Sequence, residues 1–498
     1  MTGQNYPVEF GEMSYSQLQN LYKALGTGTG GEAYGGDSYA DMSALRPQSL
    51  EPTLRIVTAR EQHFKLWNTI GKGTAFNTVE EFNVLDSYGG DYSPFYVEGG
   101  LPSETDSNYI RRSELVKFMG TTRVITNPAL AVRTVPSDVL ALETRNGILW
   151  LLQKVEQALF FADESIDPLA FNGIYAQVRN FLQGKPEIRQ HIIDMRGQPL
   201  DEAILEDAAT VIADNYGNSN LQLYLTRQVH KDLSKILIGS EGRQRVLMLP
   251  GNNQSNSVWM GQPVRGYAAN YATIEFMDDV FLKQKVKPLS KADKGAPASP
   301  TAAASDPVVA VADDTSLMEA GDYYYFVSAR NSQGESEPAA IGDSVTVAEG
   351  QRVDITINRV VSDPVATSYK VYRSKTPNAE DAQFLFEVKD AGAGTTQTIS
   401  DYNFDMPDTD MAFLIDNDPE NVLRFKQLLP MMREPLAKIS DAERFMIRLY
   451  GMLQVYNPRR IVIFKNIGKL GLNSNRPLFE PSYGADSYGT IRPVTKGS

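Results

Sequence analysis

The stretch at residues 137–163, SDVLALETRNGILWLLQKVEQALFFAD, is the longest uninterrupted helical pattern in the chain, and its neighbours read as parts attached to it. Ser137 supplies an N-cap whose hydroxyl accepts one of the orphan N–H groups of the first turn, and Asp138 puts negative charge at the positive end of the helix dipole. Val139, Leu142, Leu149, Leu152, Val155 and Leu159 recur at helical steps, with one turn skipped at Asn146. Glu143, Arg145, Gln153, Lys154 and Glu156 take the other faces. The spacing predicts one apolar stripe on a rod about 40 Å long, broken at Asp167-Pro168. A rod of that length suits a frame better than a pocket.

On its amino-terminal side, residues 76–126 read as two β segments, 75–85 and 115–125, around a tip rich in turn residues (Gly89, Gly90, Pro94, Gly99, Gly100, Pro102). This predicts a long projecting hairpin. A two-stranded ribbon is marginal in water, so it buries its faces either on a neighbouring subunit or back on its own core. Further upstream, residues 15–25 form a short amphipathic pattern, and the glycine-rich run at 26–41, GTGTGGEAYGGDSYAD, reads as a flexible arm.

On the carboxyl-terminal side, residues 199–217 predict a helix with Ile204, Ala208 and Ile212 on one line, Leu205 and Ala209 beside them, and a closing glycine. Leu221, Leu223 and Leu225 alternate as a strand. Val229, Leu233, Ile236 and Leu237 follow at helical spacing and stop at Gly239, and strands return at 264–276, so residues 190–285 form a mixed α/β region. Residues 290–307 read as a linker. Beyond it the pattern is purely β, in Tyr323, Tyr325, Val327 and Ala329, then Val353, Ile355 and Ile357, then Tyr369 and Val371, then Phe384, Phe386 and Val388. That predicts a sandwich of about 100 residues. The α/β pattern resumes with MAFLI at 411–415, which makes the sandwich an insertion. Residues 443–467 predict two β segments hinged at Asn457-Pro458, with a polar tail from Gly471.

Composition excludes several classes of chemistry. The 498 residues hold no Cys, which removes disulfides, thiolate metal sites and cysteine nucleophiles, and the net charge of −13 argues against gripping phosphate backbones. His63, His191 and His230 stand far apart and form no zinc-ligand motif; no GxSxG elbow or Walker A frame occurs. No catalytic residue, cofactor or metal site is therefore expected. Asp405, Asp408 and Asp410 miss the EF-hand frame and read as a solvated loop. The opening MTGQNYPVEFGEM lacks a basic start and an apolar core, and no 18-residue apolar run exists, so neither a secretory leader nor a membrane span is expected. Arg111-Arg112 and Arg459-Arg460 are too short for nucleic-acid patches and read as ion-pairing residues, within or between subunits.

Several phrases carry a resemblance: ALFFADESIDPLAFNGIYAQV at 158–178, HIIDMRGQPLDEAILEDAATVIADNYGNSNLQLYLT at 191–226, GQPVRGYAANYATIEFMDDVFL at 261–282, and ERFMIRLYGMLQVYNPRRIVIFKNIG at 443–468. With the hairpin and the long helix, they resemble the major capsid proteins of tailed bacteriophages, the Hong Kong 97-like fold. GDYYYFVSARNSQGESEP and SYKVYRSKTP resemble fibronectin type III and immunoglobulin-like modules. The resemblance implies an α+β fold with an N-terminal arm (1–60), an extended hairpin loop (61–130) and a peripheral domain (131–189) with its spine helix at 137–163. An axial domain (190–289) follows, interrupted by the inserted sandwich (290–410) and resumed at 411–430, then peripheral strands (431–470) and a tail (471–498). It implies a non-enzymatic shell subunit, forming hexamers and pentamers of an icosahedral virion capsid assembled in the host cytoplasm around double-stranded DNA. Expected partners are further copies of the chain, a portal protein, and possible separate scaffold and decoration proteins. Phe82, Tyr88, Tyr92, Phe95, Arg111, Arg112, Phe118, Arg459 and Arg460 are the intersubunit contact candidates. Some relatives cross-link through Lys and Asn; Lys72, Lys117 and Asn466 are present, without any motif for that chemistry. Two rivals stay open: a carbohydrate-active enzyme or adhesin with a fibronectin-like module, which needs a cleft with paired carboxylates, and a tail or baseplate component.

Overall fold

A computed structural model of the chain describes residues 60–131, 139–242, 264–283, 287–303, 306–438 and 440–470. The helix expected at 15–25, the glycine-rich arm, the Ser137 cap and the tail lie outside the described residues.

Helix α1 (Val139–Phe161) buries Gly147, Leu151, Val155 and Leu159 at four-residue steps, with Glu156 and Phe160 beside them. Only Val155 and Leu159 belong to the stripe expected from sequence. Gly147 explains the rotation: a Cβ there would lie 2.5 Å from Ile447 Cδ1, so the bare backbone row faces the sheet and Leu142, Leu149 and Leu152 fall on the flanks, half-buried. Glu156, expected on an outer face, is 0% exposed. Its carboxylate oxygens accept the N–H groups of Leu66 (2.7 Å) and Trp67 (2.9 Å).

The sheet under α1 has the order β1 (Gly71–Thr74), β19 (Leu423–Pro435), β20 (Ala442–Val455), β4 (Lys117–Thr126). A second sheet has the order β5 (Ile192–Asp194), β21 (Ile461–Ile467), β18 (Asp410–Asp416), β6 (Asn220–Leu225), β8 (Thr273–Asp278), β7 (Gly266–Ala268). Helices α3 (Glu202–Asp214) and α4 (Arg227–Gly242) cover one of its faces. Leu205, Ala208, Ile212, Val229 and Leu233 meet Leu221, Leu223, Leu225, Leu414 and Phe464 in one core. On the opposite face, the ring of Phe160 of α1 packs at a tilt 5.0 Å from Phe413 and 5.8 Å from Tyr224, which joins the two layers.

Three local expectations change here. Asp201 caps α3 by accepting the Ile204 N–H, but its left-handed C-terminal residue is Tyr216 (φ 60) and not Gly217. Gly217 is needed for space: a Cβ would stand 2.3 Å from Ile212 Cγ2. Helix α4 runs past Gly239 to Gly242. Strands β20 and β21, read as one hinged pair, join different sheets, because the Asn457 side chain caps the tight turn Pro458–Arg460 between them. The divisions at 411–430 and 431–470 therefore each straddle two sheets. Strand periodicity marks which side is buried and does not name the partner.

Nine strands lie between β8 and β18. One sheet is β10 (Val308–Ala312), β14 (Gln351–Asn358) and β17 (Thr396–Asp401), with β9 (Thr301–Ala302) on β14. The other is β12 (Ala339–Ala340), β11 (Gly321–Arg330), β15 (Ser368–Ser374) and β16 (Gln383–Lys389), with β13 (Val345–Val347) on β11. Tyr323, Tyr325, Val327, Val353, Ile355, Ile357, Tyr369 and Val371 close one core between them. A register shift after Val371 turns Leu385 into that core and Phe384 to a second cluster with Phe326 and Tyr372, against the expected alternation. The 290–307 segment is not a loose linker: Pro297 and Pro300 are buried and Asp293 N–H donates to Glu335 O. At the junction, Arg196 donates to Asn403 O (2.9 Å), and Asn466 accepts the Met406 N–H while donating to Asp194 and Phe404 O.

Candidate assembly surface

Strands β2 (Val79–Ser87) and β3 (Asn108–Leu115) form an isolated antiparallel ribbon, with Val79 opposite Leu115 and Leu85 opposite Tyr109. The expected partner of the first strand, 115–125, is instead β4 of the four-stranded sheet. The chain changes direction at Val116, which is buried with Ala75 and Met452, and that single residue converts ribbon into sheet.

Alternation then assigns the two faces. Glu80, Phe82, Val84 and Asp86 turn inward, while Val79, Glu81, Asn83 and Leu85 are exposed. Phe82 packs edge-on against Tyr456 at 5.1 Å. Arg112 lies 4.0 Å over the ring of Phe181, which stands on α2 (Ile174–Leu182), and donates to Val455 O. Lys426 pairs with Glu80 at 2.5 Å, and Arg459 bridges Asp86 (3.3 Å) and Glu187 (3.1 Å). The ribbon is thus moored along one face.

Its tip is not. Every residue from 91 to 109 is exposed, with Phe95 at 87% and Leu101 at 93%. Between Asp86 and Arg111 the chain carries Asp91, Glu98, Glu104 and Asp106 and no Lys or Arg. An acidic loop studded with Tyr88, Tyr92, Phe95, Tyr96, Val97, Leu101 and Tyr109 has more exposed apolar surface than a solvated turn calls for.

The nine contact candidates divide accordingly. Tyr88, Tyr92 and Phe95 stand free on the tip; Arg111 is exposed with Glu81 at 3.4 Å; Phe118 lies on β4, 65% exposed, with one edge on Tyr450. The other four make contacts inside the chain. Phe82, Arg112 and Arg459 moor the ribbon, and Arg460 pairs with Asp416 and Asp418 between sheets. Lone arginine pairs carry no sequence sign of whether the anion is internal.

Two carboxyls missed from sequence stand out. Glu114, on the inner face of β3, is pushed up to about 7, first by burial and then by the nearby Glu164, against the opposing pull of Asn172, Arg112 and Lys117. Glu156 is raised by burial and by Asp279, itself fully buried and also raised by burial. A step of two from Arg112 marks Glu114 as inward-facing; nothing local marks Glu156.

Each histidine is held by a hydrogen bond, with His63 Nδ1 accepting the Arg60 N–H at 2.9 Å. His191 Nδ1 lies 3.1 Å from Ile461 O, and burial lowers its pKa; His230 spans Asp278 and Val264 O, and the hydrogen bond to Asp278 raises its pKa. Asp405 and Asp408 pair with Lys465 and Lys469, and Asp410 accepts the Thr226 hydroxyl. No group of three His, Cys, Asp or Glu suited to a metal occurs among the described residues. An open depression of about 620 Å³ beside β7 has Glu275 as its one lining carboxylate and so lacks paired carboxylates. No helix among the described residues is long and apolar enough to cross a membrane.

No family model matches the chain. It is 24% identical over 450 residues to the major capsid protein of Staphylococcus phage S25-3, covering 86% of this chain and 92% of that protein. It is 23% identical over 446 residues to the putative major capsid protein of Enterococcus phage phiEF24C, covering 86% and 91%. Among solved structures it is similar to the capsid of a native GTA particle, at 10% identity and a TM-score of 0.47, over 87% of this chain and 99% of that one.

Proposed function

We propose that this chain is a structural subunit of a bacteriophage capsid shell. The observation that carries the reading is similarity to phage major capsid proteins that runs through 86% of this chain and 92% of theirs. A moored ribbon with an exposed aromatic tip supports that reading, since such a tip offers apolar surface for a neighbouring copy to cover.

In the finer reading, copies associate as hexamers and pentamers that close an icosahedral shell around double-stranded DNA. The tip lies over the adjacent copy. The α1 layer with its four-stranded sheet serves as the peripheral domain, the six-stranded sheet as the axial domain, and residues 1–60 as the arm. The nine-strand insertion is an immunoglobulin-like module displayed outward. A portal protein, a separate scaffold and decoration proteins are the further partners, with assembly in the host cytoplasm. The net charge of −13 suits containing DNA without sequence-specific binding, because clustered cations are what grip phosphates.

The test is negative-stain electron microscopy with sedimentation velocity on the full-length protein expressed alone, then with candidate scaffolds. Closed shells or capsomers are expected; a strict monomer under both conditions overturns the proposal.

A further inference from the structure

The root of the ribbon gathers three carboxylates and two lysines. Glu80 and Glu114 are direct cross-strand partners, so like charges sit side by side on the inner face. Glu164, in the loop after α1, lies close enough to raise the Glu114 carboxyl, and it is tied to Asn172, whose amide donates to it at 3.4 Å and whose Oδ1 accepts its N–H at 3.1 Å. Lys426 of β19 pairs with Glu80 at 2.5 Å, and Lys117 of β4 pairs with Glu164 at 2.7 Å while also donating to Pro168 O. Arg112, the remaining cation, is held over Phe181 and donates to Val455 O. Both lysines are thereby committed, and among the described residues no cation pairs with Glu114. Burial, with Glu164 nearby, favours the neutral form of Glu114 over the ionised form that Asn172, Arg112 and Lys117 support.

We propose that Glu114 is a proton-operated latch for the ribbon: neutral, it lets β2 and β3 seat on the body; ionised, it repels Glu80 and Glu164 and loosens the seat. The latch does not rest on the shell reading. The direction of its pH response follows from the raised carboxyl, which sits at about 7 in the seated ribbon against an ordinary 4.5 when released. Seating is fully supported below the ordinary value and is lost as pH rises through about 7.

Hydrogen–deuterium exchange on the full-length chain tests this, with amides of β2 and β3 followed between pH 6 and pH 8, corrected for intrinsic rate and referenced to β11 and β14 of the sandwich. In the native chain the opening of β2 and β3 should rise about tenfold over that interval. In Glu114→Gln it should stay flat. Equal pH responses in the two proteins, or no response in the native chain, overturn the latch. Should Glu114→Gln also lose protection in the reference strands, Glu164→Gln carries the test: removal of the neighbouring charge should shrink the response, and an unchanged response again overturns the proposal.

Discussion

Replacing Asp279 by Asn should remove a pH penalty built into the centre of the molecule. Glu156 and Asp279 are both 0% exposed. Glu156 accepts the Leu66 and Trp67 N–H groups, and Asp279 Oδ1 accepts the Phe281 N–H at 2.7 Å. Asp279 Oδ2 has no donor among the described residues, and a carboxyl hydrogen on Glu156 supplies one. The pair therefore shares a proton that the unfolded chain releases near 4.5, whereas in the fold Glu156 holds it up to about 9. The native state binds the extra proton, so this pair's contribution to stability is greatest at low pH and falls with rising pH, by about 1.4 kcal/mol per unit while only the fold holds the proton. In Asp279→Asn, Oδ1 still accepts from Phe281 and the amide Nδ2 donates to an ionised Glu156, giving that carboxylate three donors. Urea unfolding at pH 6, 7 and 8, followed through the buried Trp67 beside Glu156, should show the decline in the native chain and a much shallower one in the variant. Since the two proteins share every other titrating group, parallel pH profiles would refute the shared proton.

Three further outcomes follow from the packing. Gly147→Ala should destabilise by about 1–3 kcal/mol, despite a helix-propensity gain of about 1 kcal/mol, because the new methyl collides with Ile447; thermal unfolding decides, and a stabilised variant would mean the helix shifts freely. Arg373→Met should cost the sandwich about 3–5 kcal/mol, since Asp401 at 1% exposure loses its 2.8 Å partner. Limited proteolysis should find new cuts within 306–401 and none in the six-stranded sheet. Serine at Tyr88, Tyr92 and Phe95 together should leave the monomer's melting temperature unchanged and abolish assembly seen by sedimentation; shells from that triple variant would remove the tip from the interface.

Much of the secondary structure was legible, because its signals are local. Leu221, Leu223 and Leu225 alternate into a sheet core, as do Tyr323, Tyr325, Val327 and Ala329. What periodicity misses is decided by contacts distant in sequence. The buried stripe of α1 turned toward Gly147 because Ile447, three hundred residues later, sits against it. β3 was passed over and β4 taken for the partner of β2, because only Val116 separates β3 from β4 and an alternating pattern continues through the corner. Glu156 read as a surface residue because its partners, Leu66, Trp67 and Asp279, lie on two other segments. Of the candidate surface, the exposure of the tip was legible from its turn residues; which arginines serve the ribbon root was not, because ion pairing is blind to sequence distance.

The strand order also governs when a newly made chain becomes competent. β6 borders β18, β5 borders β21, and β1 and β4 border β19 and β20, so β1, β4, β5 and one edge of β6 wait for strands encoded after the sandwich, while β6, β8 and β7 can pair before it. Between Tyr224 and its partner Phe413 about 190 residues must leave the ribosome, roughly 10–40 s of translation. During that interval the amino-terminal half holds open sheet edges, and the ribbon has no Tyr456 to seat on. A chain cut short anywhere before β21 would lack the strand that joins β5 to β18. Translation thus acts as its own quality control, withholding a finished building block until the last strand is delivered.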